Sequence, residues 1–280
     1  MSAAETHQAA APGAAEAAFD PGQHIMHHIL DAHEIEVPFT SIEIPLPRLH
    51  IGRVDVSITR NVVMMWIAGA LLLALFLPAA RRAGRGVPKG LACALEAMVV
   101  FVRDDIARKT IDLKYADRYV GYLTTAFFFI LACNLLGMIP GLSTPTSSIS
   151  VTATLAALTF VISQLGGIRN YGVIGHYRNL VPHGLPVLIL PVIVVVEIMS
   201  MLSRPFALAI RLFANMTAGH VVILSLISLI FVLKTAWAAG MSVPFALFVY
   251  CLEILVAFLQ AFIFTMLSSL FIGLAVHPSH

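Results

Sequence analysis

The sequence predicts an all-α polytopic membrane protein, and three observations carry that prediction. Of its 280 residues, 59% are apolar and only 11% are charged, and the mean hydropathy of +0.90 lies far from that of a soluble domain. Apolar stretches recur that are long enough to cross a bilayer, which takes about 20 residues of helix. The charges are segregated. Residues 1–60 hold eight acids and three bases, and residues 81–118 hold nine bases and five acids. From 119 onward only two acids, Glu197 and Glu253, accompany five bases.

The opening "MSAAETHQAAAPGAAEAAFDPG" is Ala-rich and has neither the basic start nor the apolar core of a signal peptide. Residues 1–22 are therefore expected to form a disordered tail. Residues 23–60 read as a polar segment on the outer side, ahead of a membrane channel domain over 61–280. In "HIMHHILDAHEIE", His24, His27, His28 and His33 stand near Asp31 and Glu34, but their spacing fits no well-defined metal signature. A polar amphipathic surface segment is the expectation there.

"NVVMMWIAGALLLALFLPAA" (61–80) is the first span. The nine bases that follow place the 81–118 loop in the cytoplasm and the N-terminus outside, because basic loops are retained on the inner side. Within that loop Leu91, Leu95, Met98, Val102 and Ile106 recur at helical spacing, with Arg103 and Asp104 off the stripe. This predicts an interfacial amphipathic helix. "YVGYLTTAFFFILACNLLGMIPGL" (119–142) runs outward and is ended by Gly137, Pro140 and Gly141, with "STPTSS" as an uncharged outer turn. "ISVTATLAALTFVISQLGGI" (149–168) returns to an inner loop carrying Arg169, His176, Arg178 and His183.

The last third is ambiguous by hydropathy. Residues 184–233, interrupted by Pro186, Pro191 and Pro205, fit one long tilted helix or two spans. Residues 243–276 are too long for an upright span, at about 50 Å of helix. Five or six spans are both compatible with composition.

Ionisable residues are few in this half: Glu197, Arg204, Arg211, His220 and Glu253. Each charge placed centrally in a bilayer costs roughly 2.5–3.5 kcal/mol on insertion scales, so such groups usually face protein or water. Arg204, beside Ser203 and Pro205, has the option of snorkelling to the interface; Arg211, seven residues further into the apolar run, is less suited to it. Ala207, Arg211, Ala214 and Ala218 share one helix face, where small residues permit another helix to approach closely. Glu253, Ala257, Gln260 and Phe264 form a second stripe. His220 and Glu253 are suited either to pass a proton between neighbouring helices or simply to satisfy each other. If Glu253 takes His220, and Glu197 takes Arg204 or water, Arg211 has no internal counter-ion, and its partner belongs to another chain.

Cys93, Cys133 and Cys251 lie in apolar surroundings without pair spacing and read as small hydrophobes. No P-loop, Rossmann glycine pattern or nucleophile elbow occurs. Neither a cofactor, a metal nor a nucleic acid is expected. A proton-coupled secondary transporter, the alternative reading, usually shows internal repeats with matched broken helices; here the polar residues concentrate in the last third. An intramembrane enzyme would need a close His-x-x-x-His or Ser/His arrangement within a span, and none is present.

Five stretches, in order, resemble the subunit a family of F-type ATP synthases: "GVPKGLACALEAMVVFV", "NLLGMIPG", "TPTSSISVTATLAALTF", "LSRPFALAIRLFANMTAGH" and "LQAFIFTMLSSLFIGLA". The resemblance runs from about His27 to the C-terminal end. It implies a non-catalytic stator channel that carries protons through two offset half-channels to and from carboxylates of a c-subunit ring. Arg211 stands as the family's essential arginine between the two. His220 and Glu253, with Asn215, Gln260 and Glu197, are implied to line the outer half-channel. His220 and Glu253 occupy positions where some members carry Glu and His in the opposite order, and Gly137 stands where some carry an acid. The family further implies five crossing helices, the last two forming a long tilted hairpin around the rotor, and a cytoplasmic C-terminus. The implied partners are the c-ring, b-type peripheral stalk subunits, the rest of the synthase and the lipid bilayer, in a bacterial inner membrane.

Overall fold

A computed structural model of the chain describes residues 34–36, 43–45, 50–51, 54–55, 57, 59–82, 90–139, 142–178, 190–233 and 236–276. The expected tail over 1–22 and the four N-terminal histidines lie outside the described residues. Four short strands precede the helices: β1 (Glu34–Glu36) pairs antiparallel with β2 (Glu43–Pro45), and β3 (His50–Ile51) with β4 (Val54–Asp55). These strands were not foreseen in the polar segment. Among the described residues, all the regular structure after them is helical.

Helix α1 (Arg60–Arg82) matches the first predicted span. The interfacial helix α2 covers 91–110. It is α-helical over Leu91–Val100 and Arg108–Thr110, with a π-helical stretch at Phe101–Ala107 between them. The predicted stripe is borne out from its middle onward: Leu95 and Met98 pack against the core, and Val102 and Ile106 are fully buried in it. Leu91, at the start, stays exposed. Off the stripe, Arg103 hydrogen-bonds Asp104 at 2.9 Å and holds its carboxyl below the usual carboxylate range. Arg108 bridges Asp104 and Asp117, and Lys109 pairs with Asp105. These pairs are exposed and contribute little to stability.

Helix α3 (Leu113–Gly137) begins six residues before the predicted span, because Asp112 caps it by accepting from the Lys114 backbone N–H. The Pro145–Ser147 turn is a single 3₁₀ turn. Helix α4 (Ile149–Arg178) outruns the predicted 149–168 span. It breaks at Gly172, whose φ of 71° and ψ of 168° no side-chain-bearing residue adopts easily. The chain folds back there, so His176 is buried at 2.9 Å from Gln164 rather than free in a loop.

The ambiguous last third is two helices, α5 (Leu190–Leu233) and α6 (Ala236–Val276). Pro191 lies in the first turn of α5, where its missing N–H leaves no helical bond unmade. Pro205 in α5 and Pro244 in α6 are interior, and the helices continue through them. At about 1.5 Å per residue both helices are roughly twice the bilayer's hydrocarbon thickness, so both tilt or extend beyond it. Among the described residues, five helices are long and apolar enough to cross a membrane.

Helix α6 is the hub, packed by α2, α3, α4 and α5. Phe127, Leu123 and Ile130 of α3 meet Phe264, Ala261 and Ile272 of α6 and Leu208, Leu212 and Met216 of α5 in one core. Polar clamps fix the ends. At the basic end, Thr110 of α2 hydrogen-bonds Ser269 of α6. At the opposite end, Asn134 of α3 donates to the Ala257 carbonyl of α6 at 3.2 Å and accepts from Thr146 at 2.6 Å. One fully buried amide thus ties the 3₁₀ turn to two helices. Asn134→Ala removes both bonds and leaves the buried Thr146 hydroxyl without its acceptor, and is expected to destabilise the fold by about 1–3 kcal/mol, read as a lower thermal midpoint in detergent.

Candidate functional site

Arg211 stands at the midpoint of α5, in a stretch without another charge between Arg204 and His220. Ala207, Arg211, Ala214 and Ala218 are all exposed, while Leu208, Leu212 and Met216 turn into the core. The face foreseen from helical spacing is therefore the one the chain leaves uncovered. Among the described residues Arg211 makes no hydrogen bond or ion pair.

The second stripe does the reverse. Glu253, Ala257, Gln260 and Phe264 are all buried. Two of them reach across to α5: His220 Nδ1 lies 3.1 Å from Glu253 Oε1, and Asn215 Nδ2 donates to Gln260 Oε1 at 2.8 Å. These pairs set the register of the antiparallel hairpin, since five residues back along α5 are matched by seven forward along α6. The four sequence-predicted residues are thus joined two by two, one pair beside Arg211 and one further along.

Glu253 reaches His220 because residue 219 has no side chain. A Cβ at Gly219 would lie 2.8 Å from Glu253 Oε1. The other carboxyl oxygen, Oε2, is buried and has no hydrogen-bond partner among the described residues. On the far side of the ring, His220 Nε2 lies 3.4 Å from Thr144 Oγ1.

Glu197, expected to line the same half-channel, is not brought next to this group. Because α5 is one continuous helix, Glu197 is roughly 34 Å from His220 along the axis. It sits with Arg204, Oε1 to Nη2 at 3.6 Å, both groups partly exposed. Arg204 also stacks over Phe271 near the end of α6. Sequence reasoning missed Asn134, Thr144 and Thr146, and the contact that Gly219 makes possible. All four fall inside the stretches that carried the resemblance, yet short polar residues and glycines give no periodic signal. No group of three or more metal-ligating side chains occurs among the described residues.

With this geometry in place, comparison with known proteins is decisive. The family model described as ATP synthase A chain matches residues 62–273. The chain belongs to that family. It is 48% identical to ATP synthase subunit a of Chloroherpeton thalassium over 261 residues, covering 91% of this chain and 77% of the relative. It is 49% identical to ATP synthase subunit a 2 of Prosthecochloris aestuarii, covering 92% and 81%. It is 46% identical to ATP synthase subunit a of Anaeromyxobacter dehalogenans, covering 97% and 76%. The family makes this an integral membrane, proton-conducting stator subunit of the synthase, not a catalytic one.

The Gly219 contact yields a test. Gly219→Ala is expected to push the Glu253 carboxyl off His220 and slow proton transport by the assembled synthase. Unchanged transport in membrane vesicles would mean that Glu253 reaches its working position by another rotamer.

Proposed function

We propose that this subunit forms two offset half-channels meeting at Arg211, and that Arg211 faces the mid-membrane carboxylates of a c-subunit ring. One observation carries this: a guanidinium, charged at any ordinary pH, lies midway along α5 on an exposed, alanine-flanked face without a carboxylate among the described residues. A carboxylate on an adjacent helix supplies the missing charge, and the alanines let that helix approach.

The basic loop over 81–118 supports placing the α2 end in the cytoplasm. On that orientation the His220–Glu253 pair belongs to the outer half-channel, with Asn215–Gln260 between it and Arg211. Glu197 and Arg204 belong to the inner one. The bacterial sources of the relatives support a bacterial plasma membrane, with the N-terminus outside, the C-terminus inside, and b-type stalk subunits holding the stator.

The mechanism follows from charge in a low dielectric. A proton taken up at His220–Glu253 neutralises a c-ring carboxylate, which can then turn into lipid without a buried charge. On its return the carboxylate meets Arg211, whose fixed charge favours ionisation and releases the proton inward. The same charge repels a proton that would otherwise cross directly between the half-channels.

Arg211→Ala in membranes retaining the native partners is expected to abolish ATP-driven acidification. The passive proton leak, measured after the catalytic head is removed, should be preserved or increased. Arg211→Lys should also lose coupled pumping, since a desolvated lysine can surrender its proton and an arginine cannot. Normal pumping in either variant would sink this reading. Glu253→Gln is expected to slow transport by roughly a hundredfold, the low end for loss of a proton-transferring group, without opening a leak. Unchanged rates would reduce His220–Glu253 to a structural pair.

A further inference from the structure

We infer that Thr144 is a positioning residue for His220, and that Gly137 has no side chain so that Thr144 can occupy its place. The inference rests on the proposed role of His220–Glu253 and adds to it the group that orients the imidazole.

His220 has two ring nitrogens. Nδ1 is committed to Glu253 Oε1 at 3.1 Å, so the direction in which Nε2 points is decided by whatever meets it. Among the described residues that is the Thr144 hydroxyl, at 3.4 Å. A hydroxyl suits both states of the ring, since it donates to a neutral Nε2 and accepts from a protonated one. It therefore holds the ring's orientation through a cycle of proton gain and loss, which a fixed donor or acceptor cannot do.

The backbone is built to present that hydroxyl. Thr144 is itself buried, at 3% exposure, ahead of the Pro145–Ser147 turn. Its neighbours are anchored on both sides: Ser143 donates to Asn61 of α1, and Thr146 donates to Asn134 of α3. The Thr144 carbonyl accepts from the Ser147 hydroxyl at 2.7 Å. Thr217 of α5, three residues from His220, reaches the Ser147 carbonyl at 3.5 Å and ties the turn to the helix that carries the ring. Space for the hydroxyl comes from α3, because a Cβ at Gly137 would collide with Oγ1, Cβ and Cα of Thr144. Gly137 and Gly219 thus make room on opposite sides of one polar row, Thr144, His220 and Glu253.

The test compares Thr144→Val, Thr144→Ser, Gly137→Ala and Glu253→Gln in the intact synthase in inverted vesicles, with rates normalised to assembled complex. Valine keeps the shape and removes the hydroxyl; serine keeps the hydroxyl. Thr144→Val should slow ATP-driven proton transport roughly tenfold, less than loss of the transferring group itself, whereas Thr144→Ser should transport at close to the native rate. Gly137→Ala, which displaces the threonine without altering it, should resemble Thr144→Val and keeps the test open should that variant assemble poorly. Native rates in Thr144→Val and Gly137→Ala beside a slow Glu253→Gln would overturn the positioning role and leave the half-channel intact. Equal loss in Thr144→Val and Thr144→Ser would reduce Thr144 to packing. A native rate in Glu253→Gln would remove the reading on which the inference rests.

Discussion

A guanidinium in a low-dielectric medium needs a counter-charge, and the described part of this chain does not supply one to Arg211. The two carboxylates of the membrane half are engaged elsewhere, Glu197 with Arg204 and Glu253 with His220. Much else follows from keeping them there. Among the described residues the arginine has no carboxylate partner because α5 is one unbroken helix, which holds Glu197 about 21 Å away along its axis. The His220–Glu253 pair lies in the other direction and is enclosed by α6 and the 3₁₀ turn. The fold separates charges that an ordinary soluble protein would let collapse together.

The second consequence concerns how the hairpin is held. Lipid tails are as apolar as leucine, so helices in a bilayer gain little from apolar burial and depend on close packing and a few polar contacts. Helices α5 and α6 follow that pattern, with the Asn215–Gln260 and His220–Glu253 bonds as cross-links and glycine or alanine beside them. Each cross-link is also a group the proposed proton path uses. On that path stability and conduction draw on the same side chains, while Asn134, Thr146 and Thr110 bond the helices together elsewhere in the frame.

Enclosure within the chain is also uneven. Half of the apolar stretch of α3 is buried inside the fold, but only 11% of that of α5. The least enclosed of the central helices is the one that carries Arg211 at its midpoint. Its inner face, Leu208, Leu212 and Met216, locks it to the core. Its outer face keeps the small residues that let another helix come near.

Composition left five or six spans open, whereas the sequence by itself determined the class of fold, the stripe of α2 from Leu95 to Ile106, and the two helix faces that carry Arg211 and Glu253. These are periodic or compositional properties, carried by residues that follow one another at helical spacing, so a linear reading recovers them. It also determined the family, through motifs of consecutive residues. What only the tertiary structure decided are the contacts between distant segments. It joined Asn215 to Gln260, removed Glu197 from the group with which it had been placed, and turned α4 back at Gly172 to bury His176. It also showed which side chains lie where a Cβ at Gly137 or Gly219 would be. A missing side chain has no periodicity, and its meaning lies in the atom that fills the space, here Thr144 on one side of His220 and Glu253 on the other. That atom comes from another part of the chain, and only packing brings it there.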